Sequence, residues 1–132
     1  MHMLAFLYPS APGERFDETY WKDVHLPLGL GLTDKHLGIR PRKVMLFAPG
    51  RGGDLGHDSA PFSAIAAVIF DDKEAVERFS TLFDYEEAAR RLSEDFPNYT
   101  PGPPAILVSE IRDVTDIDQM IESFQRAEKS AP

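Results

Sequence analysis

The chain has no cysteine. That excludes disulfides, thiolate nucleophiles and cysteine-ligated metals. It has no run of five or more basic residues, and its formal net charge is −8 with a sequence pI near 4.9. A chain of that sign repels phosphate backbones and anionic lipid surfaces, so nucleic acid and membrane are poor partners. No apolar run approaches the roughly 20 residues that a membrane-spanning helix needs. The opening MHMLAFLYP is apolar but short, has neither a basic leader nor a small-residue cleavage site, and does not read as a signal peptide. A soluble, cytoplasmic protein is the plain expectation. His2, His36 and His57 are scattered, with no His-x-His or His-x-x-x-His spacing, so no metal site is expected. No serine among Ser10, Ser59, Ser63 and Ser109 sits in a Gly-x-Ser-x-Gly context, which argues against a serine hydrolase. GRGGDLG (50–56) lacks both the Lys-Ser/Thr of a phosphate loop and the Gly-x-Gly-x-x-Gly spacing. No bound cofactor is expected.

What is present suits one domain spanning 1–132, since 132 residues with 42% apolar content can bury a core. HMLAFLY (2–8) is a strand signal closed by the Pro9–Gly13 punctuation. Phe16, Tyr20, Val24 and Leu28 then recur every four residues, a helical stripe with Trp21 and His25 on its shoulder. Pro27 should end or kink this helix, and Gly29, Gly31 and Gly38 should let the chain turn. KVMLFAP (43–49) is a second strand, 50–61 a long Gly-rich loop, and FSAIAAVIF (62–70) a third strand whose alanines leave room for close approach. Asp71 or Asp72 can cap one long helix over 72–95, with Ala75, Val76, Phe79, Leu82 and Phe83 as its buried stripe. Its Glu86–Arg90 and Glu87–Arg91 spacings suit a solvated face. After the Pro/Asn/Gly-rich segment 95–104 come a fourth strand, AILVSEI (105–111), and a last amphipathic helix, 116–129.

The order β-α-β-β-α-β is the ferredoxin-like α+β plan: a four-stranded antiparallel sheet with helices on one face. The strands are apolar on both faces, since Met3, Ala5 and Leu7 alternate with Leu4, Phe6 and Tyr8. A one-faced antiparallel sheet should alternate apolar with polar. The economical cover for the second face is another copy of the same sheet, giving a homodimeric α+β barrel.

Two segments carry a family resemblance. FDETYWKDVHLPL (16–28) runs an aromatic-rich helix into His25, Pro27 and Leu28, and DFPNYT (95–100) places Asp95, Pro97, Asn98, Tyr99 and Thr100 just before the last strand. Together, in this order and on these elements, they resemble the EthD family of small proteins. The similarity extends over most of 3–112, including Phe70 and Asp71 after the third strand; 114–129 then forms a helical extension. The resemblance implies a dimeric ferredoxin-like barrel with a hydrophobic cavity in each protomer between sheet and helices. Relatives with this fold include lactone isomerases, polyketide cyclases, decarboxylases and cofactor-free monooxygenases, and other members have no known activity. Tyr99 stands where phenylalanine is common in the family, and the 50–61 loop is long.

His25 is the leading chemical candidate, because imidazole takes and gives a proton near neutral pH. The alternative is that it bonds free carbonyls near Pro27. Asp95 either orients His25 through an Nδ1–H bond or closes a turn on its own backbone, the role also expected of Asn98. Tyr99 either adds a proton donor or packs. Trp21, Tyr20, Tyr85, Phe96 and Asn98 are candidates for the substrate-binding wall, although aromatics at helical spacing more often form plain core. Tyr20 and Trp21, being adjacent, cannot face the same way. Proton abstraction next to a carbonyl fits this inventory, on a small hydrophobic, aromatic or lactone-like metabolite and in the manner of an isomerase, cyclase or decarboxylase. The alternative is a non-catalytic accessory or ligand-binding protein that supports an oxidative degradation or biosynthesis system.

Overall fold

The computed structural model of the chain describes residues 1–49 and 60–131. The Gly-rich loop expected at 50–61, with His57 and Ser59, lies almost wholly outside the described residues. Strands β1 (His2–Pro9), β2 (Lys43–Phe47), β3 (Phe62–Phe70) and β4 (Ala105–Glu110) form one sheet in the order β2-β3-β1-β4. Each neighbouring pair is antiparallel. This is the ferredoxin-like α+β fold. Among the described residues, no helix is long and apolar enough to cross a membrane.

Pairing fixes the two faces. Leu4, Phe6 and Tyr8 of β1 share a face with Ala64, Ala66 and Val68 of β3 and with Val44 and Leu46 of β2. This face packs under the helices, where Leu4, Val68 and Phe70 meet Ile39 and Val76. Tyr8, Ala64 and Ala66 meet Trp21 and Tyr99 in a second cluster. The opposite face carries Met3, Ala5, Leu7, Ile65, Ala67, Ile69, Met45, Phe47 and Leu107. Of these, Phe47 and Leu107 are more than half exposed. The alanines sit at the middle of the pairing register, so the bulk is carried at the rim.

The first helical stretch differs from its expectation. Asp17 caps it by accepting the Tyr20 N–H at 3.0 Å. Helix α1 (Glu18–Tyr20) leads into a π-helical turn, Trp21–His25, and then into α2 (Leu26–Leu37). Pro27 therefore does not end the helix. It stands in the first turn of α2, where a missing N–H is tolerated. Just before it the turn widens, so that the Leu26 N–H reaches back to the Trp21 carbonyl. The wide turn also shifts the buried face: Trp21 and His25 are buried, while Val24 of the expected stripe is exposed. Gly29 and Gly31 do not turn the chain but lie inside α2. Their helical cost is offset by packing, as Leu32 meets Leu82, Ala88 and Leu92. Only Gly38 acts as a stop, in the left-handed region at φ 65°, with its N–H on the Asp34 carbonyl.

The helix expected over 72–95 is broken. It is α3 (Lys73–Phe79), a 3₁₀ turn (Leu82–Asp84) and α4 (Glu86–Asp95). Ser80 Oγ bonds the Val76 carbonyl at 3.0 Å and Thr81 Oγ1 bonds the Arg78 carbonyl at 2.6 Å. These side chains compete with the backbone and stop α3. Asp72, not Asp71, is the cap, accepting the Ala75 N–H at 2.8 Å. Helix α5 (Ile117–Ser130) is capped by Asp116, and its Ile117, Met120, Ile121 and Phe124 are all at least half exposed.

Candidate functional site

The two segments singled out in the sequence meet. The Asp17 N–H, at the start of the first helical stretch, bonds the Tyr99 carbonyl at 2.9 Å. Behind this anchor, α4 delivers Asp95 to the π-helical turn. His25 Nδ1 lies 2.9 Å from Asp95 Oδ2, and both residues are only 8% exposed. Asp95 Oδ1 accepts from the Tyr20 hydroxyl at 2.5 Å and from Asn98 Nδ2 at 3.2 Å. Asn98 Nδ2 also reaches the Tyr20 hydroxyl, at 3.1 Å. Asn98 thus bonds Asp95 and Tyr20 with its side chain, where a bond to its own backbone was expected.

The carboxylate is fully engaged, and this sets the protonation states. Burial pushes the Asp95 pKa up, but the bonds from Tyr20, His25 and Asn98 outweigh it and hold the carboxyl below its ordinary value. An ionised carboxylate only accepts, so Nδ1 of His25 carries the proton and Nε2 the lone pair. Burial lowers the His25 pKa below 6.5, and the opposing pull of Asp95 does not restore it. At neutral pH the imidazole is uncharged. The Tyr20 hydroxyl is harder to ionise than usual because it already donates to Asp95.

A cleft of about 70 Å³ lies between the sheet and the helices, and His25 forms part of its wall. Phe6, Tyr8, Val44, Ala66 and Val68 supply the sheet side, and Trp21, Leu26, Leu30, Leu82 and Phe83 are among those on the helix side. Trp21 and Phe96 of the expected wall residues line it; Tyr20, Asn98, Tyr85 and Tyr99 do not. Tyr20 and Asn98 stand behind His25, on Asp95. Tyr85 is remote: its ring stacks on His36 with centroids 4.7 Å apart, and it is 39% exposed. The break between α3 and α4 is what takes Tyr85 away. Tyr99 is brought to His25 by its ring, with centroids 4.4 Å apart, while its hydroxyl points to Tyr8 at 3.4 Å. Burial raises the Tyr99 pKa far above its ordinary value, so it keeps its proton.

Sequence reasoning did not single out Tyr8. Its hydroxyl lies 3.3 Å from Trp21 Nε1. The signal available was its place on the same face as Leu4 and Phe6, which reads as core. His2 does not line the cleft, and His36 bonds Glu87 through Nε2 at 2.9 Å. Among the described residues, no group of three His, Cys, Asp or Glu is placed to hold a metal ion.

A family model described as EthD domain matches residues 13–102. No curated protein matches the chain. Among solved structures, an EthD-like protein from Ralstonia eutropha JMP134 is similar with a TM-score of 0.65 at 24% identity, covering 88% of this chain and 96% of that one. An EthD family protein from Bacillus halodurans C-125 is similar with a TM-score of 0.53 at 17% identity, covering 85% of this chain and 99% of that one. HapK from Hahella chejuensis gives a TM-score of 0.51 at 13% identity, covering 88% of this chain and 97% of that one. At these identities the likeness is one of fold.

Proposed function

Because the chain belongs to the EthD family and buries a neutral histidine against an ionised carboxylate, we propose that it is a cofactor-independent proton-transfer protein acting on a small, largely apolar metabolite, and that it works as a homodimer. The single observation that carries this reading is the His25 Nδ1–Asp95 Oδ2 bond at 2.9 Å beside the cleft. It fixes one tautomer and leaves Nε2 as a base. His25 Nε2 takes a proton from a substrate carbon, and the imidazolium that forms is stabilised by Asp95. Returning that proton to the original or a neighbouring carbon completes an isomerisation; in a cyclase it would go to the alkoxide oxygen formed when the enolate carbon attacks a second carbonyl, and a decarboxylase would use only the protonation of the carbon that CO₂ leaves. Tyr20 and Asn98 are positioning residues, since they hold the carboxylate that holds the imidazole. Trp21 and Phe96 are wall residues in this reading.

The cleft is about 70 Å³, roughly half the ~150 Å³ of an apolar cavity that admits benzene. Small lactones and ketones are therefore the first compounds to try. Phe83 forms part of the wall and is 44% exposed, so it is the side chain whose movement would admit a larger ring.

The test is solvent exchange. Cyclopentanone and γ-butyrolactone are incubated with the protein in D₂O, and loss of the α-proton signal is followed by NMR. Wild type should accelerate exchange, and His25→Gln should lose on the order of 10²–10⁴-fold of that acceleration. Equal rates for the two proteins would remove His25 from the chemistry. The apolar lining also favours a second reading, a protein that holds a metabolite without changing it; saturable binding with no exchange would select that reading.

A further inference from the structure

Three hydrogen-bond donors, the Trp21 N–H and the Tyr99 and Tyr8 hydroxyls, meet at Tyr8 on the sheet side of the cleft, and one proton is left over. The indole Nε1–H of Trp21 can only donate, and it lies 3.3 Å from the Tyr8 hydroxyl. The Tyr99 hydroxyl lies 3.4 Å from the same oxygen. The two hydroxyls share one proton across that contact, so one of their two O–H protons is left without an acceptor among the described residues; Tyr8 lines the cleft and Tyr99 does not, so a group in the cleft can take the Tyr8 proton only. Tyr8 is 2% exposed, so bulk water does not serve it. A buried hydroxyl proton without an acceptor is costly, and such groups ordinarily find a partner.

The other polar groups of the wall are accounted for: Thr33 Oγ1 donates to the Gly29 carbonyl at 2.7 Å, the Trp21 N–H goes to Tyr8, and His25 Nε2 is an acceptor. Thr33 Oγ1 keeps its accepting lone pairs and His25 Nε2 is the basic acceptor of the wall, while the donor left unassigned is the Tyr8 O–H. We propose that the Tyr8 hydroxyl holds the carbonyl oxygen of the substrate, so that the site takes small enolisable carbonyl compounds, ketones or lactones. This rests on His25 being the base. Burial also raises the Tyr8 pKa, so the hydroxyl stays protonated at neutral pH and can donate.

The step balances within these two residues. The α-carbon proton goes to His25 Nε2. The C–H electron pair becomes the new carbon–carbon π bond, and the carbonyl π pair moves onto oxygen. The Tyr8 O–H bonds that oxygen as its negative charge grows. Return of a proton from His25 to carbon reverses the flow of electrons, and no oxidant, reductant or metal enters. A donor aimed at the oxygen where charge develops stabilises the transition state more than the ground state.

The experiment compares wild type, Tyr8→Phe and His25→Gln with cyclopentanone, using α-proton exchange in D₂O and the infrared carbonyl stretch of ¹³C=O-labelled cyclopentanone bound to each protein. Tyr8→Phe should slow exchange on the order of 10²-fold, the scale of losing one oxyanion donor, and should raise the bound carbonyl stretch relative to wild type. Replacing Tyr8 by 3-fluorotyrosine, which keeps the shape but has a more acidic hydroxyl, should lower that stretch further. This variant decides the matter if Tyr8→Phe fails to fold, and an unmoved stretch would overturn the assignment. Exchange lost in His25→Gln but kept within twofold in Tyr8→Phe, with the carbonyl stretch unchanged, would overturn the Tyr8 role and leave the His25 base standing. Wild type with neither exchange nor a shifted carbonyl would overturn both.

Discussion

Asp95 and His25 titrate against each other, and their linkage has a sign that can be checked. Unfolded, His25 takes up a proton near pH 6.5; folded, its pKa is lower. Between those two values the unfolded chain binds more protons, so stability falls as pH drops through that window and levels off below it. Asp95 acts in the same direction further down. Its folded pKa lies below its ordinary value, so the stability it adds is full above the unfolded pKa and is lost as pH falls through the folded one. Melting temperature should therefore decline below about pH 6.5 in wild type, and His25→Gln should flatten the upper part of that decline. Activity should rise with pH along a curve whose midpoint lies below pH 6.5, because the base is the neutral imidazole. Asp95→Asn replaces an obligate acceptor with a side chain that can also donate. It should release the fixed tautomer, visible in the ¹⁵N shifts of His25, and cost about 1–3 kcal/mol of stability. An unchanged tautomer in that variant would show that Asp95 does not set it. His25 was legible as an imidazole beside Pro27, and Asp95 because its segment, 95–100, resembles the EthD family. Tyr8 was not legible. On an alternating strand a tyrosine looks like core, and only the count of protons around its hydroxyl sets it apart.

At the scale of elements, the strands and the last helix follow from local pattern, and the structure has them within a residue or two of the expected positions. The interruptions do not follow. A π-helical turn has no composition of its own, and Pro27 reads as a stop unless the preceding turn is seen to widen. Ser80 and Thr81 read as ordinary surface positions until their hydroxyls are seen on the Val76 and Arg78 carbonyls. The glycines of the first helical stretch separate three effects. Gly38→Ala meets no atom within 4 Å but holds φ 65°, so it should cost about 1 kcal/mol through backbone strain alone and lower the melting temperature by a few degrees. Gly31→Ala also meets nothing within 4 Å, and sits inside a helix at an ordinary φ; it should stabilise by roughly 0.5–1 kcal/mol. Gly29→Ala should stabilise similarly, since its new methyl would meet Leu92 at an ordinary 4.0 Å. But Gly29 lines the cleft, so it should weaken ligand binding while Gly31→Ala does not. Calorimetry and ligand titration on the two variants make the comparison.

At the scale of the whole molecule, two of the apolar surfaces left uncovered among the described residues are the sheet face bearing Phe47 and Leu107, and the stripe of α5; Ile106 and Val108 of β4 are exposed on the other face of the sheet. The first was legible from strands apolar on both sides. The exposed second was not, because an amphipathic pattern says that a helix has an apolar face and not what that face meets. A homodimer that packs sheet on sheet would bury the Phe47–Leu107 face, and a stable interface needs about 800 Å² from each partner. Sedimentation should give a dimer for wild type and a monomer for the Phe47→Glu, Leu107→Glu double variant. Wild type sedimenting as a monomer at tens of micromolar would exclude this packing. The exposed β4 has a mechanical consequence as well. As an edge strand it pairs, among the described residues, with β1 alone, with Glu110 opposite His2, and the Ile111 N–H bonds the Met1 carbonyl at 3.0 Å. The N-terminus of β1 and the C-terminus of β4 therefore sit at the same end of one antiparallel ladder. Force applied between them loads the rungs one after another, as a zipper, and not all together in shear. Under tension β4 would peel away at low force, while the β2–β3 pair, which contains neither pulled strand, would be the last of the sheet to feel the pull.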